Sequence, residues 1–159
     1  MILAIDPGRT GALAALDSAN GDLIDVYDLD AMYAGPVLSP PLLLTAIEDL
    51  LAGEKADACV VEAVNSFGMG RTSAFNFGQT LGTCRSVPLC LGIPVVDITP
   101  AVWKKVMGLG KDKDVARGRA STRWPTWAEM FKRKKDDGRA EAALLAEWWR
   151  TTERRAVGQ

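Results

Sequence analysis

Four acidic side chains, Asp6, Glu62, Asp137 and Glu141, occupy positions from which carboxylates can do chemistry, in a chain without a histidine. Asp6 ends the apolar run Met1-Ile2-Leu3-Ala4-Ile5 and opens a Pro7-Gly8 turn, and Glu62 ends a second run, Ala58-Cys59-Val60-Val61. Asp137 and Glu141 stand four apart, just ahead of Ala142-Ala143-Leu144-Leu145-Ala146. A carboxylate at the end of a buried strand is costly unless something neutralises it, and a divalent cation bound through oxygen is the usual partner. The set therefore reads as a metal site. Two-metal hydrolysis of a phosphodiester uses one cation to lower the pKa of the attacking water and another to stabilise the leaving oxygen, with the ions about 4 Å apart. Asp6 suits the bridging role, because the end of a central strand fixes it, and Glu62 on a neighbouring strand would hold one ion. Asp137 and Glu141 share a helical face and reach a common ion. Singly, each has a plainer reading, Asp6 as a turn residue and Glu141 as a first-turn helix charge. Only the joint pattern points to catalysis.

Several elements must converge to position these groups. Three strands are expected over residues 1–6, 11–17 and 22–30, with Asn20-Gly21 as the hairpin signal between the last two. A proline-rich loop follows from Met32 to Pro41, and Pro41 then starts a helix through Leu51. Asp57 to Glu62 is a buried strand, and residues 63–71 form an exposed loop around Gly68 and Gly70. Thr72 or Ser73 caps a helix to about Leu91, Val95 to Ile98 is a short strand, and Thr99-Pro100 opens a helix carrying Trp103, Lys104 and Lys105. Further helices are expected over Asp112 to Arg123 and Asp136 to Arg150, with a frayed tail after Thr151. Three strands followed by alternating helices and strands describe one α/β domain with a mixed sheet, spanning residues 1–159.

The composition, 48% apolar and 25% charged over 159 residues, is that of an ordinary globular protein with a sizeable core. No charged leader precedes the first apolar run and no stretch reaches the length of a membrane span, so a cytoplasmic protein is expected. Cys59, Cys84 and Cys90 are odd in number, lie in apolar surroundings and read as buried free thiols. The net charge of −1 conceals an asymmetry: residues 1–100 carry 4 Lys/Arg against 12 Asp/Glu, and residues 101–159 carry 15 against 8. A basic half beside an acidic one suggests a polyanion-binding face next to a metal site, although solvated helix surfaces give the same count.

Lys104, Lys105, Lys111, Lys113, Arg117 and Arg119 fall on two consecutive expected helices, and Lys132-Arg133-Lys134-Lys135 directly precedes the acidic pair. Cations so placed would guide phosphates toward the metals, with strongly salt-dependent binding. Phe67 sits among glycines in the 63–71 loop, and Arg71 at its end joins the candidate DNA contacts. Phe67 reads either as a wedge that stacks on an unpaired base or as a side chain folded back into the core. Phe75, Phe77, Trp103, Trp124, Trp127, Trp148 and Trp149 read as packing or interface residues. The helix from about Ser73 to Leu91 has Arg85 as its one charge, so it is either central to the core or buried against a second subunit.

Ile5-Asp6-Pro7-Gly8 with Thr10-Gly11 resembles the opening of the RuvC-type Holliday junction resolvases of the RNase H-like superfamily. Val61-Glu62, Gly78-Gln79 with Gly82, Ile98-Thr99-Pro100 and Trp103-Lys104-Lys105 are similar to that family in order and spacing, and Lys134 to Asp137 with Ala140-Glu141-Ala142 resembles its last acidic motif. The resemblance implies an RNase H-like fold and two Mg²⁺ or Mn²⁺ ions per site on Asp6, Glu62, Asp137 and Glu141. It further implies a homodimer that cuts four-way DNA junctions by paired symmetric nicks, in recombination or repair. Two departures stand out. The family usually has Asp where this chain has Glu141, and its last two acids are often three apart. Here Gly138 fills that place, so Asp137 must serve from four residues back, with Asp136 as a substitute. These variations and the small size fit a phage or prophage version. Three other readings remain open: a less selective branch- or flap-cutting nuclease, an inactive branched-DNA-binding protein, and an ATPase of the same superfamily. The chain is short for the two lobes of such an ATPase and has no second phosphate loop.

Overall fold

An apolar strand with no polar alternation is stable only when both of its faces are covered, and Ile2–Ile5 (β1) accordingly lies at the centre of a five-stranded sheet. The structure is a computed structural model describing residues 1–110 and 112–157, with side chains described as far as Glu153. Lys111, one of the candidate DNA contacts, lies outside the described residues. Strand β1 pairs antiparallel with Ala12–Leu16 (β2), which pairs antiparallel with Leu23–Asp28 (β3). A two-stranded ribbon follows, Tyr33–Ala34 (β4) with Val37–Leu38 (β5), then the helix Pro40–Leu51 (α1). Ala58–Glu62 (β6) joins the free side of β1 in parallel. After the helix Arg71–Cys90 (α2), Val95–Ile98 (β7) pairs in parallel with β6, so the sheet order is β3-β2-β1-β6-β7. Helices Pro100–Val106 (α3), Lys113–Arg123 (α4) and Asp137–Val157 (α5) complete the described chain.

The strand period of two divides the core into two layers. Ile2 and Ala4 face Trp103, Trp124, Leu144 and Leu145 on the side of α3, α4 and α5. Leu3 and Ile5 face Leu43, Ile47, Cys84 and Val87 on the side of α1 and α2. On the α5 side the residues meeting at the sheet are small: Ala4, Ala12 and Ala14 from the strands, and Ala140, Ala142, Ala143 and Ala146 from the helix. Small side chains on both surfaces let the helix backbone lie close to the sheet, which brings a helical carboxylate within reach of the strand ends.

The mixed sheet agrees with the sequence reading, while several boundaries differ. The 32–41 segment is not a featureless loop, because it holds the β4–β5 ribbon after a 3₁₀ turn at Leu29–Met32. Pro40 rather than Pro41 leads α1. Gly70, extended at φ −63° and ψ 154°, is the N-cap of α2 in place of Thr72 or Ser73. Two 3₁₀ turns, Pro125–Phe131 and Lys134–Asp136, bridge α4 to α5. The last helix, expected to end near Arg150, continues as α5 to Val157. Cys59 and Cys84 are buried as expected, whereas Cys90 is exposed at the end of α2. Trp103, Trp124 and Trp148 are buried and Trp127 and Trp149 pack at the edge of the core, but Phe75 is 69% exposed. Among the described residues no helix is long and apolar enough to cross a membrane.

Candidate metal centre

Parallel pairing of β1 with β6 aligns Ile5 with Val61, so the next residues, Asp6 and Glu62, emerge side by side at the C-terminal ends of two interior strands. The turn after Asp6 is tight: the Asp6 amide donates to the Ala12 carbonyl at 3.0 Å, and a Cβ at Gly11 would fall 1.9 Å from the Asp6 carbonyl oxygen. Only glycine fits there. The same turn receives the first turn of α5. A Cβ on Gly138 would lie 2.1 Å from the Thr10 carbonyl oxygen and 2.8 Å from the Gly11 Cα. Gly138 is therefore the contact point that seats α5 on the β1–β2 turn, and no acidic side chain fits at that position without displacing the backbone.

Seated in this way, α5 delivers Glu141. One carboxylate oxygen from each of Asp6, Glu62 and Glu141 lies within 4.8 Å of the other two. Helix α3 covers the cluster from the side. Trp103 donates its indole N–H to Glu62 Oε1 at 2.9 Å, and Lys104 Nζ donates to Glu141 Oε2 at 2.8 Å while standing 3.7 Å from Glu62 Oε1. Among the described residues, Lys104 is the ammonium group that directly pairs with carboxylates of this cluster. Burial raises the pKa of Asp6 well above the ordinary range, and the negative charges of Glu62 and Glu141 raise it further, against a smaller opposing pull from Lys104. Burial works against the charge on Lys104, but its hydrogen bond to Glu141 and the surrounding carboxylates outweigh this and raise its pKa. Oxygen-only donors with excess negative charge, held by rigid elements, suit a hard divalent cation.

The other two acids of the C-terminal motif behave differently. Asp137 is 7% exposed, lies outside the three-carboxylate cluster and is ion-paired with Lys113. Asp136 faces away from the cluster as a cap: its carboxylate accepts from the Arg133 backbone amide at 2.8 Å and from Arg133 Nη2 at 2.9 Å. Burial would raise the pKa of Asp136, but these Arg133 bonds hold it below the usual range. Asp136 therefore closes the capping box of the 3₁₀ turn Lys134–Asp136 that leads into α5.

The cations singled out in the sequence divide in the same way. Lys104 and Lys113 sit on the acidic residues, Arg117 bonds Asp114 and the Lys132 carbonyl, Arg133 holds Asp136, and Lys132 pairs with Glu129. Arg71, Lys105, Lys134 and Lys135 are exposed. Phe67 is 95% exposed, so the reading that folds it into the core is overturned. Two residues beside the site were not identified from sequence. Trp103 read as a core or interface residue within the Trp103-Lys104-Lys105 motif, and nothing in its spacing signals a hydrogen bond to an acid 41 residues earlier. Arg9 follows the Asp6 turn, pairs with Asp30 at 2.7 Å and lies over the Tyr33 ring.

Acidic residues at the ends of adjacent central strands, in a sheet of three antiparallel and two added parallel strands flanked by helices, define an RNase H-like fold. No protein-family model matches the chain, and no curated protein matches it. Among solved structures it is similar to Thermus thermophilus RuvC in complex with a Holliday junction substrate, with a TM-score of 0.67 and 17% identity over 97% of this chain and 95% of that one. A second Thermus thermophilus RuvC structure matches with a TM-score of 0.61 and 16% identity, covering 96% of both chains. At such identities the likeness is one of fold, and the fold is the RuvC-type RNase H-like one.

Proposed function

We propose that this chain is a divalent-metal-dependent endonuclease that resolves four-way DNA junctions by paired symmetric nicks, acting as a homodimer with one site per 1–159 nuclease domain. The observation that carries this reading is the convergence of Asp6, Glu62 and Glu141 within 4.8 Å on the RuvC-type fold. Mg²⁺ or Mn²⁺, two ions on this reading, would be held by Asp6, Glu62 and Glu141 and would supply Lewis acidity and a water of lowered pKa. Asp137 completes the ligand set once Lys113 exchanges its carboxylate for a DNA phosphate. A cation favours the ionised form of its carboxylate ligands, and the raised pKa of Asp6 would make metal binding dependent on pH. Lys104, which pairs with Glu141 in the metal-free chain, would be free to contact a phosphate once a cation neutralised the carboxylates.

Exposed Lys105, Lys134, Lys135 and Arg71 supply backbone contacts, and Phe67 stacks on a base at the branch. Support for a dimer comes from α2, whose Phe75 and Leu89 are 69% and 56% exposed on a helix with a single charge beyond its first residue. Cleavage of a synthetic four-way junction in Mg²⁺, beside flap and linear duplexes, tests the proposal. Paired nicks in the junction alone are expected, with Asp6→Asn reducing the rate at least about 10³-fold while junction binding persists. Equal cutting of flaps and duplex would instead mark a less selective branched-DNA nuclease, and tight binding without cutting would mark an inactive binding protein.

A further inference from the structure

We infer that Trp103 is a positioning residue for the metal centre, its indole N–H orienting the Glu62 carboxylate toward the cation. The inference rests on the reading of Asp6, Glu62 and Glu141 as metal ligands and extends it to a residue that touches neither metal nor DNA. Trp103 is fully buried and belongs to the core layer under α5. Packing there requires a large apolar body, and a phenyl or aliphatic group would supply one without any polar atom. Yet the N–H points to Glu62 Oε1 at 2.9 Å, and Glu62 itself is only 4% exposed. Lys104 Nζ stands 3.7 Å from the same oxygen, beyond hydrogen-bond distance.

The two donors respond differently when a cation arrives. Lys104 carries a positive charge on a flexible stem, so a divalent ion repels it from the carboxylates. An indole N–H is neutral, has no acceptor function and cannot rotate out of a filled core. Trp103 is therefore the partner that remains, fixing one oxygen of Glu62 so that the carboxylate keeps its orientation relative to Asp6 and Glu141. Partners of this kind behind a ligand typically contribute 10- to 100-fold to metal affinity.

Mn²⁺ binding to the DNA-free full chain, measured by titration with EPR detection of free Mn²⁺, tests this directly. Two replacements are compared: Trp103→Phe, and benzothienylalanine at position 103, which keeps the bicyclic shape and puts sulfur in place of the N–H. Both are expected to weaken Mn²⁺ binding about 10- to 100-fold. Metal-free junction affinity should stay within about twofold, and cleavage should recover at high Mn²⁺. Loss of affinity in Trp103→Phe alone would assign the effect to packing and overturn the inference, as would unchanged Mn²⁺ affinity in the benzothienylalanine protein. A wild-type chain that binds no Mn²⁺ would overturn the metal-centre reading itself, a result distinct from either.

Discussion

Helix α5 carries two acids six residues apart, the half-buried Glu141 and the buried Glu147, and the surroundings of the two are opposite. Glu147 is enclosed by guanidinium groups: Arg150 donates through Nε at 2.6 Å and Nη2 at 3.0 Å, and Arg123 Nε donates at 3.0 Å. Glu141 stands with Asp6 and Glu62, and among the described residues Lys104 is the cation paired with this cluster. Glu62 and Glu147 are similarly buried, at 4% and 8% exposure, so burial does not separate the two regions. Charge balance does. Burial alone would raise the pKa of Glu147, but the bonds from Arg150 and Arg123 hold it below the ordinary range, whereas at Asp6 burial and neighbouring carboxylates act together and raise it. A buried acid with a complete set of cations is part of the scaffold, and a partly buried group of acids with fewer cations than carboxylates suits a bound cation.

The largest effect should come from the balanced end. Glu147→Ala strands two partly buried guanidinium groups and is expected to cost about 3–5 kcal/mol in urea denaturation, with Mn²⁺ affinity per folded molecule unchanged. If Mn²⁺ binding fell along with stability, the two regions would not be separable. Next comes the helix contact that defines the unbalanced end. Gly138→Ala pushes α5 away from the Thr10 carbonyl, and overpacking of this kind typically costs about 1–3 kcal/mol. Unlike Glu147→Ala, it should weaken Mn²⁺ binding as well, because Glu141 moves with the helix.

The smallest effect has the opposite sign. With its pKa raised in the folded state, Asp6 contributes stability that is full below its unfolded pKa and is lost as pH rises through the folded value. Glu147, with a lowered pKa, contributes stability that is present above its unfolded pKa and is lost as pH falls through the folded value. Metal-free Asp6→Asn should therefore melt above the wild type at alkaline pH, by roughly 2–4 °C for each kcal/mol of repulsion relieved. Added Mn²⁺ should raise the melting temperature of the wild type more than that of the variant. Melting curves across the pH range check both slopes, and equal slopes in variant and wild type would end the contrast between the regions.

Much of this architecture was legible in the chain itself. The apolar runs ending in Asp6 and Glu62 identified two buried strands whose polar ends needed a partner, because a strand of that composition has few other places to go. The helical spacing of Asp137 and Glu141 was equally plain, but it treated the two as equivalent. In the structure Glu141 enters the cluster and Asp137 is turned onto Lys113. Asp136, expected only as a substitute for Asp137, and Arg133, a candidate DNA contact, bond each other in the 3₁₀ turn that precedes α5.

The sequence by itself determined which residues would be strand, helix and acid, because local pattern and burial act over a few neighbouring positions. Tertiary structure alone decided which acids meet, which cations are consumed by scaffold pairs, and that Trp103 reaches Glu62 from 41 residues away. Those outcomes depend on the parallel register of β1 with β6 and on the close seating of Gly138 against Thr10. Such contacts join segments distant in the chain, and no periodicity within either segment specifies them.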